Sequence, residues 1–281
     1  MKKPSNFTII GLSLVLNTIF SPLSSADQTA ELSRYSYCSN GRCSIITNDF
    51  FHQNRGMPRD MFFTCKKNNQ YALTFDDGPS NNWDELLEIL NKHNVKATFF
   101  VNGSNIKDNN IRTVNKAYLS GHNIANHTFN HADLTADSMS DTDVINQVQS
   151  NYQKITSSIE STGFNNTIAI SAKIVRPPYG NINMRVDKLF KANGFYAVRW
   201  NADRYDWNLS DNDEDIIFQR VSQQLDFIDQ YYSKGLLDTN SMIDLNHDFR
   251  KSTLKAIDEA IPLIKQRGYE FVTMVECLGL G

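Results

Sequence analysis

From residue 71 to residue 275 the chain alternates between short apolar stretches and longer stretches of helical period, and no other feature constrains the fold as much. Residues 71–75 read as a strand. Trp83, Leu86, Leu87 and Leu90 then fall on one face of a helix. Residues 97–101 are a second strand, 111–119 a helix ended by Gly121, and 122–127 a third, irregular strand. Val144, Val148, Tyr152, Ile155 and Ile159 mark a long helix, for which Ser140 and Asp143 supply a capping box. The alternation resumes with a brief strand at 174–175, a helix carrying Val186, Leu189 and Phe190, and a strand at 195–200. A helix with Ile217, Val221, Leu225 and Ile228, a strand at 241–245, a helix from Leu254 to Ile264 and a strand at 269–275 follow; Pro262 should kink that last helix. Such repetition predicts a parallel sheet in one α/β domain. About seven strands in roughly 250 residues fit a distorted or incomplete (β/α) barrel better than an open doubly wound sheet. No Gly-x-Gly-x-x-Gly follows the first strand, so dinucleotide binding finds no support.

The segments outside this repeat speak to compartment. Lys2 and Lys3 precede an apolar run over residues 7–20, and Ser24-Ser25-Ala26 offers a small-residue cleavage site, so residues 1–26 read as a signal peptide and the protein as secreted. The run is shorter than a spanning helix and contains Asn17, so no membrane span is expected in the mature chain. Residues 27–64 are polar and turn-rich and read as an extension wrapping the domain. Four cysteines behind a secretion signal suggest two disulfides, with three pairings possible on paper. Cys38 and Cys43 bracket a turn-like tetrapeptide, which makes a local bridge natural and leaves Cys65 with Cys277. In a plain parallel barrel those two points lie at opposite ends, so one terminal segment must double back. Asn102, Asn165 and Asn208 head sequons that would make the protein a glycoprotein in a eukaryotic host. The net charge of −3 and the lack of a basic stripe give no reason to expect a nucleic-acid partner.

The polar clusters each follow a predicted strand end. Asp76 and Asp77 follow the first strand, His127 and His131 the third, and Arg176-Pro177-Pro178-Tyr179-Gly180 the 174–175 strand. Asp203, Asp206 and Trp207 follow the 195–200 strand, and His247-Asp248 follows the strand at 241–245. In a parallel barrel those ends share one face, where active sites are built. Adjacent carboxylates are costly without a cation or a base nearby. Histidines four apart on a helical turn would present both imidazoles to one ion. Read singly, each cluster has a bland alternative: a turn at Asp77-Gly78-Pro79, surface histidines, a rigid proline loop, solvent-facing acids beside a core indole, and a plain loop pair at His247-Asp248.

Taken in order, Thr74-Phe75-Asp76-Asp77-Gly78-Pro79, His127-Thr128-Phe129-Asn130-His131, Arg176-Pro177-Pro178-Tyr179-Gly180, Asp203-Arg204-Tyr205-Asp206-Trp207 and Leu245-Asn246-His247-Asp248 resemble the five motifs of the polysaccharide deacetylases, carbohydrate esterase family four. The flavour is similar to fungal chitin deacetylases, and the likeness spans residues 65–277, making 65–281 the expected catalytic domain. The resemblance implies a distorted barrel and one divalent metal, Zn²⁺ with Co²⁺ or another ion as alternatives, held by Asp77, His127 and His131. It implies Asp76 as general base, Arg176 as its orienting partner, and His247 paired with Asp206 as general acid. The backbone N–H of Tyr179 would meet the oxyanion, and Trp207 and Leu245 would wall the acetyl pocket. The expected reaction is removal of N-acetyl groups from chitin or a similar N-acetylglucosamine polymer in the extracellular space or cell wall. Two other readings stay open: an O-acetyl esterase acting on xylan, and a non-catalytic glycan-binding wall protein. The departures from the family pattern are small: Ala202 and Arg204 stand in variable places, and Asp244 is a polar residue inside the strand leading to His247.

Overall fold

A computed structural model describes residues 62–159, 166–235 and 237–281, together with the backbone of a hairpin formed by β1 (Ser36–Ser39) and β2 (Arg42–Ile45). The signal-peptide reading and the sequon at Asn165 lie outside the described residues, as does most of the 27–64 extension. In the hairpin register Cys38 stands opposite Cys43; their side chains also lie outside the described residues.

The barrel begins with β3 (Gln70–Gly78), α1 (Trp83–Lys92), β4 (Thr98–Val101), α2 (Ile111–Leu119), β5 (Asn123–Asn126), α3 (Asp141–Ser158), α4 (Asn166–Ser171) and β6 (Ile174–Val175). It continues with α5 (Met184–Ala192), β7 (Tyr196–Ala197), β8 (Ala202–Asp203), α6 (Glu214–Ser233), β9 (Met242–His247), α7 (Lys251–Gln266), β10 (Glu270–Phe271) and α8 (Met274–Cys277). The sheet order is β7-β6-β5-β4-β3-β9-β8, every pairing is parallel, and β10 joins the foot of β3. Sequence order therefore runs around the curled sheet, and the circle stays open between β7 and β8. This is the incomplete (β/α) barrel of about seven parallel strands that the alternation predicts.

Period-two alternation sorts the strand residues between two cores. Tyr71, Leu73, Phe75, Phe99 and Met242 pack with the apolar stripes of the helices. Ala72, Phe100, Ala125, Ile174 and Ile243 face inward and pack with Cys65, Met274, Val275, Cys277 and Leu278. The capping box of α3 forms as its sequence predicts: the Ser140 side chain accepts from Asp143 N, and the Asp143 carboxylate accepts from Ser140 N. Pro262 sits inside α7 without ending it.

Two strands differ from the sequence reading. The strand expected at 195–200 is only β7, and an unexpected strand, β8, follows beyond it; β7 pairs with β6 and β8 with β9, so the two form the edges of the opening. Phe62 lies against the free edge of β7 by a parallel bridge to Val198. The final strand expected at 269–275 is only β10, because β3 offers it just Gln70 and Tyr71 as partners. The chain then turns beneath the barrel, and a second capping box, Thr273 with Glu276, starts α8. Met274 N donates to Thr98 Oγ1 and Val275 N to Asn123 Oδ1, so α8 closes the floor under the first residues of β4 and β5. That turn is the doubling-back the disulfide needs: Cys65 is bonded to Cys277 across a separation of 212 residues, with Cα atoms 4.5 Å apart.

Candidate metal and acid–base site

The strand C-terminal ends bring the predicted polar residues to one mouth of the barrel. Asp76 and His247 are in-register partners on β3 and β9, and both side chains belong to the inward set of their strands. Asp77 departs from the strand. The β3–β4 register shifts between Asp76 and Gly78, and Asp77 takes φ 70°. That bulge turns consecutive carboxylates toward different targets. Gly78 is required immediately after it, since a Cβ there would lie 2.2 Å from Asp248 Oδ2.

His127 and His131 do converge, but through a loop and not a helical turn as their spacing suggested. Thr128 and His131 both adopt positive φ, 68° and 59°. Side chains hold this unusual path. Asn126 Oδ1 accepts from Thr128 N at 2.9 Å and from Asn151 Nδ2 at 2.9 Å, while Asn102 Nδ2 donates to His127 O at 2.6 Å. Asn102 is therefore buried and engaged, so the glycan expected there has no accessible amide; Asn208 is exposed. The His127 ring is oriented by Arg176 O, 2.7 Å from Nδ1, which leaves Nε2 facing Asp77.

Asp77 Oδ1 lies 3.4 Å from His127 Nε2 and 3.3 Å from His131 Nε2, and one ligand atom from each residue falls within 4.8 Å of the others. The oxygen is buried and accepts no well-formed hydrogen bond. One hard and two borderline donors converging around an orphaned oxygen suit a divalent cation with an open coordination position. Burial works against the Asp77 charge, but His127, His247 and His131 outweigh it and hold the carboxyl down to about 2. Burial lowers the His131 imidazole, with the neighbouring His127 charge adding to it. A low carboxyl and a lowered imidazole both keep lone pairs available for a metal.

On one side of this cluster Asp76 is buried and takes a 2.8 Å hydrogen bond from Arg176 Nη1 on Oδ1. Arg176 also donates to Thr74 Oγ1 at 2.6 Å and Arg199 O at 3.3 Å, and its guanidinium lies 4.1 Å from the centre of the Phe100 ring. Asp76 Oδ2 is 3.9 Å from His127 Nε2, so this carboxylate borders the cluster without belonging to its tight triangle. On the other side His247 Nδ1 is 2.8 Å from Asp206 Oδ1, and Asp206 Oδ2 accepts from His247 N and Thr253 Oγ1. Burial alone would lower His247, but the hydrogen bond and charge of Asp206, with Asp76 and Asp77 beyond, push it up to about 9. His247 Nε2 faces Asp77 Oδ2 at 3.9 Å.

The remaining predicted residues fall around this centre. Tyr179 takes φ 58° in a 3-10 turn, and its exposed ring stands edge-on to His131 at 4.7 Å. Leu245 is buried two residues below His247 on the same face of β9, and Trp207 is half exposed at the rim. Asp206 is not the solvent-facing acid of the bland reading, and Asp203 belongs to β8 itself. Nor is His247-Asp248 a plain loop pair. Asp248 is buried, accepts from Trp83 Nε1, and is pushed by burial up to about 7. The asparagine scaffold and the Trp83–Asp248 brace escaped the sequence reading. Their only advance signal was polar residues at positions that turn out to be core.

The polysaccharide deacetylase family profile matches residues 64–198. The chain is 32% identical over 252 residues to chitin deacetylase 2 of Saccharomyces cerevisiae, covering 89% of this chain and 72% of that one. It belongs to the polysaccharide deacetylase family. It is 33% identical over 216 residues to the peptidoglycan-N-acetylglucosamine deacetylase PgdA of Listeria monocytogenes, covering 76% of this chain but only 40% of that longer protein. Among solved structures, the chitin deacetylase of Colletotrichum lindemuthianum superposes with a TM-score of 0.64 at 26% identity, covering 78% of this chain and 91% of that one. Among the described residues no helix is long and apolar enough to cross a membrane.

Proposed function

We propose that this polysaccharide deacetylase hydrolyses the N-acetyl groups of N-acetylglucosamine units in chitin or a chitin-like polymer, as a secreted enzyme carrying Zn²⁺ on Asp77, His127 and His131. The observation that carries the reading is the juxtaposition of that triangle with two differently supported acid–base groups, Asp76 on Arg176 and His247 on Asp206. A zinc ion so held would supply Lewis acidity toward an amide carbonyl and toward water.

The chain's own residues do the rest. Asp76, fixed by Arg176, accepts a proton from the attacking water as its oxygen bonds to the acetamide carbon. The Tyr179 backbone N–H, presented by the strained turn after Pro178, supports the developing oxyanion. His247 donates a proton to the amide nitrogen as the C–N bond breaks, giving acetate and a free amine. Asp206 holds the imidazole tautomer and favours its charged form. Trp207 and Leu245 close the space around the acetyl methyl.

The test is acetate release from N-acetylglucosamine oligomers, from peptidoglycan and from acetylated xylan by the purified chain, before and after chelation. Activity on the chitin series that disappears with chelation and returns with added Zn²⁺ is the expected result. Preference for peptidoglycan or xylan would move the substrate assignment. Full activity in metal-free protein would overturn the metal-dependent reading.

A further inference from the structure

Three exposed aromatic side chains surround the site: Tyr179 at 65%, Trp207 at 48% and Phe249 at 41% exposure. Tyr179 and Trp207 stand within the family motifs. Phe249 follows the last of them, in the turn between β9 and α7. Contacts order the rings across the mouth. Tyr179 meets His131, His131 meets Asp77 Oδ1, Asp77 Oδ2 faces His247, and the His247 ring lies 5.5 Å from that of Phe249. Tyr179 and Phe249 thus end a chain of contacts that passes through the metal cluster.

Phe249 is also braced. The Arg250 guanidinium lies 5.2 Å from the centre of its ring, and Arg250 Nη2 donates to Trp207 O at 3.4 Å. The neighbouring Asp248 is buried in the floor beneath. An aromatic ring fixed in place yet left open to solvent at the edge of a polar cleft is poised to bind an apolar surface. Pyranose rings present such a surface in their axial C–H faces, and a polymer of them presents one at every sugar.

We propose that Phe249 is a specificity-determining platform for the sugar next to the reacting unit on the His247 side. A neutral sugar chain then lies across the centre from Tyr179 to Phe249, and the reaction falls on internal units in preference to chain ends. This rests on the deacetylase reading above and adds to it the length of substrate and the position attacked.

The experiment compares Phe249→Ala and Phe249→Trp with the unaltered chain on monomeric N-acetylglucosamine and on its hexamer, with product positions mapped by mass spectrometry. Phe249→Ala should raise KM for the hexamer roughly five- to tenfold with kcat retained, leave the monomer, which has no neighbouring sugar, unaffected, and shift deacetylation toward chain ends. Phe249→Trp should restore hexamer binding. Because the ring is exposed, its removal leaves the fold intact. Equal effects on monomer and hexamer, or none on either, would overturn the platform. Acetate release by the unaltered chain reports separately on the deacetylase reading. Calorimetric titration of the hexamer into each variant decides the platform even if no acetate is released, and equal affinities there would overturn it.

Discussion

Replacing Arg204 by Met should destabilise the fold sharply, and the loss should grow with pH. Arg204, Asp244 and Tyr71 are all fully buried on the helix side of the sheet. Arg204 Nη2 lies 3.2 Å from Asp244 Oδ1 and donates to the Tyr71 hydroxyl at 2.8 Å, and that hydroxyl donates to Asp244 Oδ2. Burial raises the Asp244 carboxyl above its ordinary range, and Arg204 is the largest influence pulling it back. Removing one partner of such a pair typically costs about 3–5 kcal/mol, because the other charge is left buried and unpaired. For a domain of this size that corresponds to a Tm lower by roughly 6–20 °C. Without Arg204 the folded-state pKa of Asp244 climbs further above its unfolded value. Native protein then holds a proton that unfolded chain releases, and stability falls as pH rises through that window. Thermal denaturation of chelated protein at about pH 5 and about pH 8 should therefore show the larger deficit at the higher pH. The double replacement Arg204→Met with Asp244→Leu should recover most of the loss, since apolar substitutes for a buried ion pair are often neutral or better. A single variant within about 1 kcal/mol of the parent at pH 8, or a double variant no better than the single, would refute the argument.

Further outcomes follow from the site. Asp76→Asn should keep the metal while turnover falls about 10²–10⁴-fold, whereas Asp77→Asn should weaken metal binding and be partly rescued by excess Zn²⁺; metal stoichiometry and rate on both variants decide it. Because His247 is pushed up to about 9 and its proposed role is that of a protonated acid, kcat should fall as pH rises through that value, and Asp206→Asn should move this alkaline limb to lower pH. The Cys65–Cys277 bond joins residues 212 apart, so replacing both by Ser should cost up to about 5 kcal/mol in unfolding measurements while leaving metal content unchanged.

What the sequence reveals and hides has physical causes. Long helices announce themselves through period, and the α2 bounds read from sequence coincide with the structure. A two-residue strand has no period to read. Hence the strand predicted at 195–200 overruns β7 and stops short of β8, and β10 was extended into residues that form α8. The Thr273-Met274-Val275-Glu276 capping box was present in the sequence but was masked by the apolar residues it encloses. Placing the site clusters at strand ends required only topology, so they were found. The path from His127 to His131 depends on Asn102 and Asn151, whose hydrogen bonds to His127 O and Asn126 Oδ1 each span 25 residues and leave no local trace.

The departures from the family pattern gain a meaning from register. The proposed base and acid, Asp76 and His247, are neighbours because β3 and β9 pair in one alignment, and a one-residue slip would turn one of them out of the barrel. The same slip would carry Asp244 from the helix side into the interior. Its partner Tyr71 is on β3, and Arg204 immediately follows β8, so the triad ties together the three strands whose alignment sets the acid–base pair. Asp244 has low strand propensity and a high desolvation cost, and on its own it would weaken the sheet. Paired with Arg204 and Tyr71 it favours the correct register, because a misaligned one would leave a buried charge unmatched. Arg204 and Asp244, which look like unrelated exceptions along the sequence, are thus two halves of one contact holding the strands that carry the chemistry.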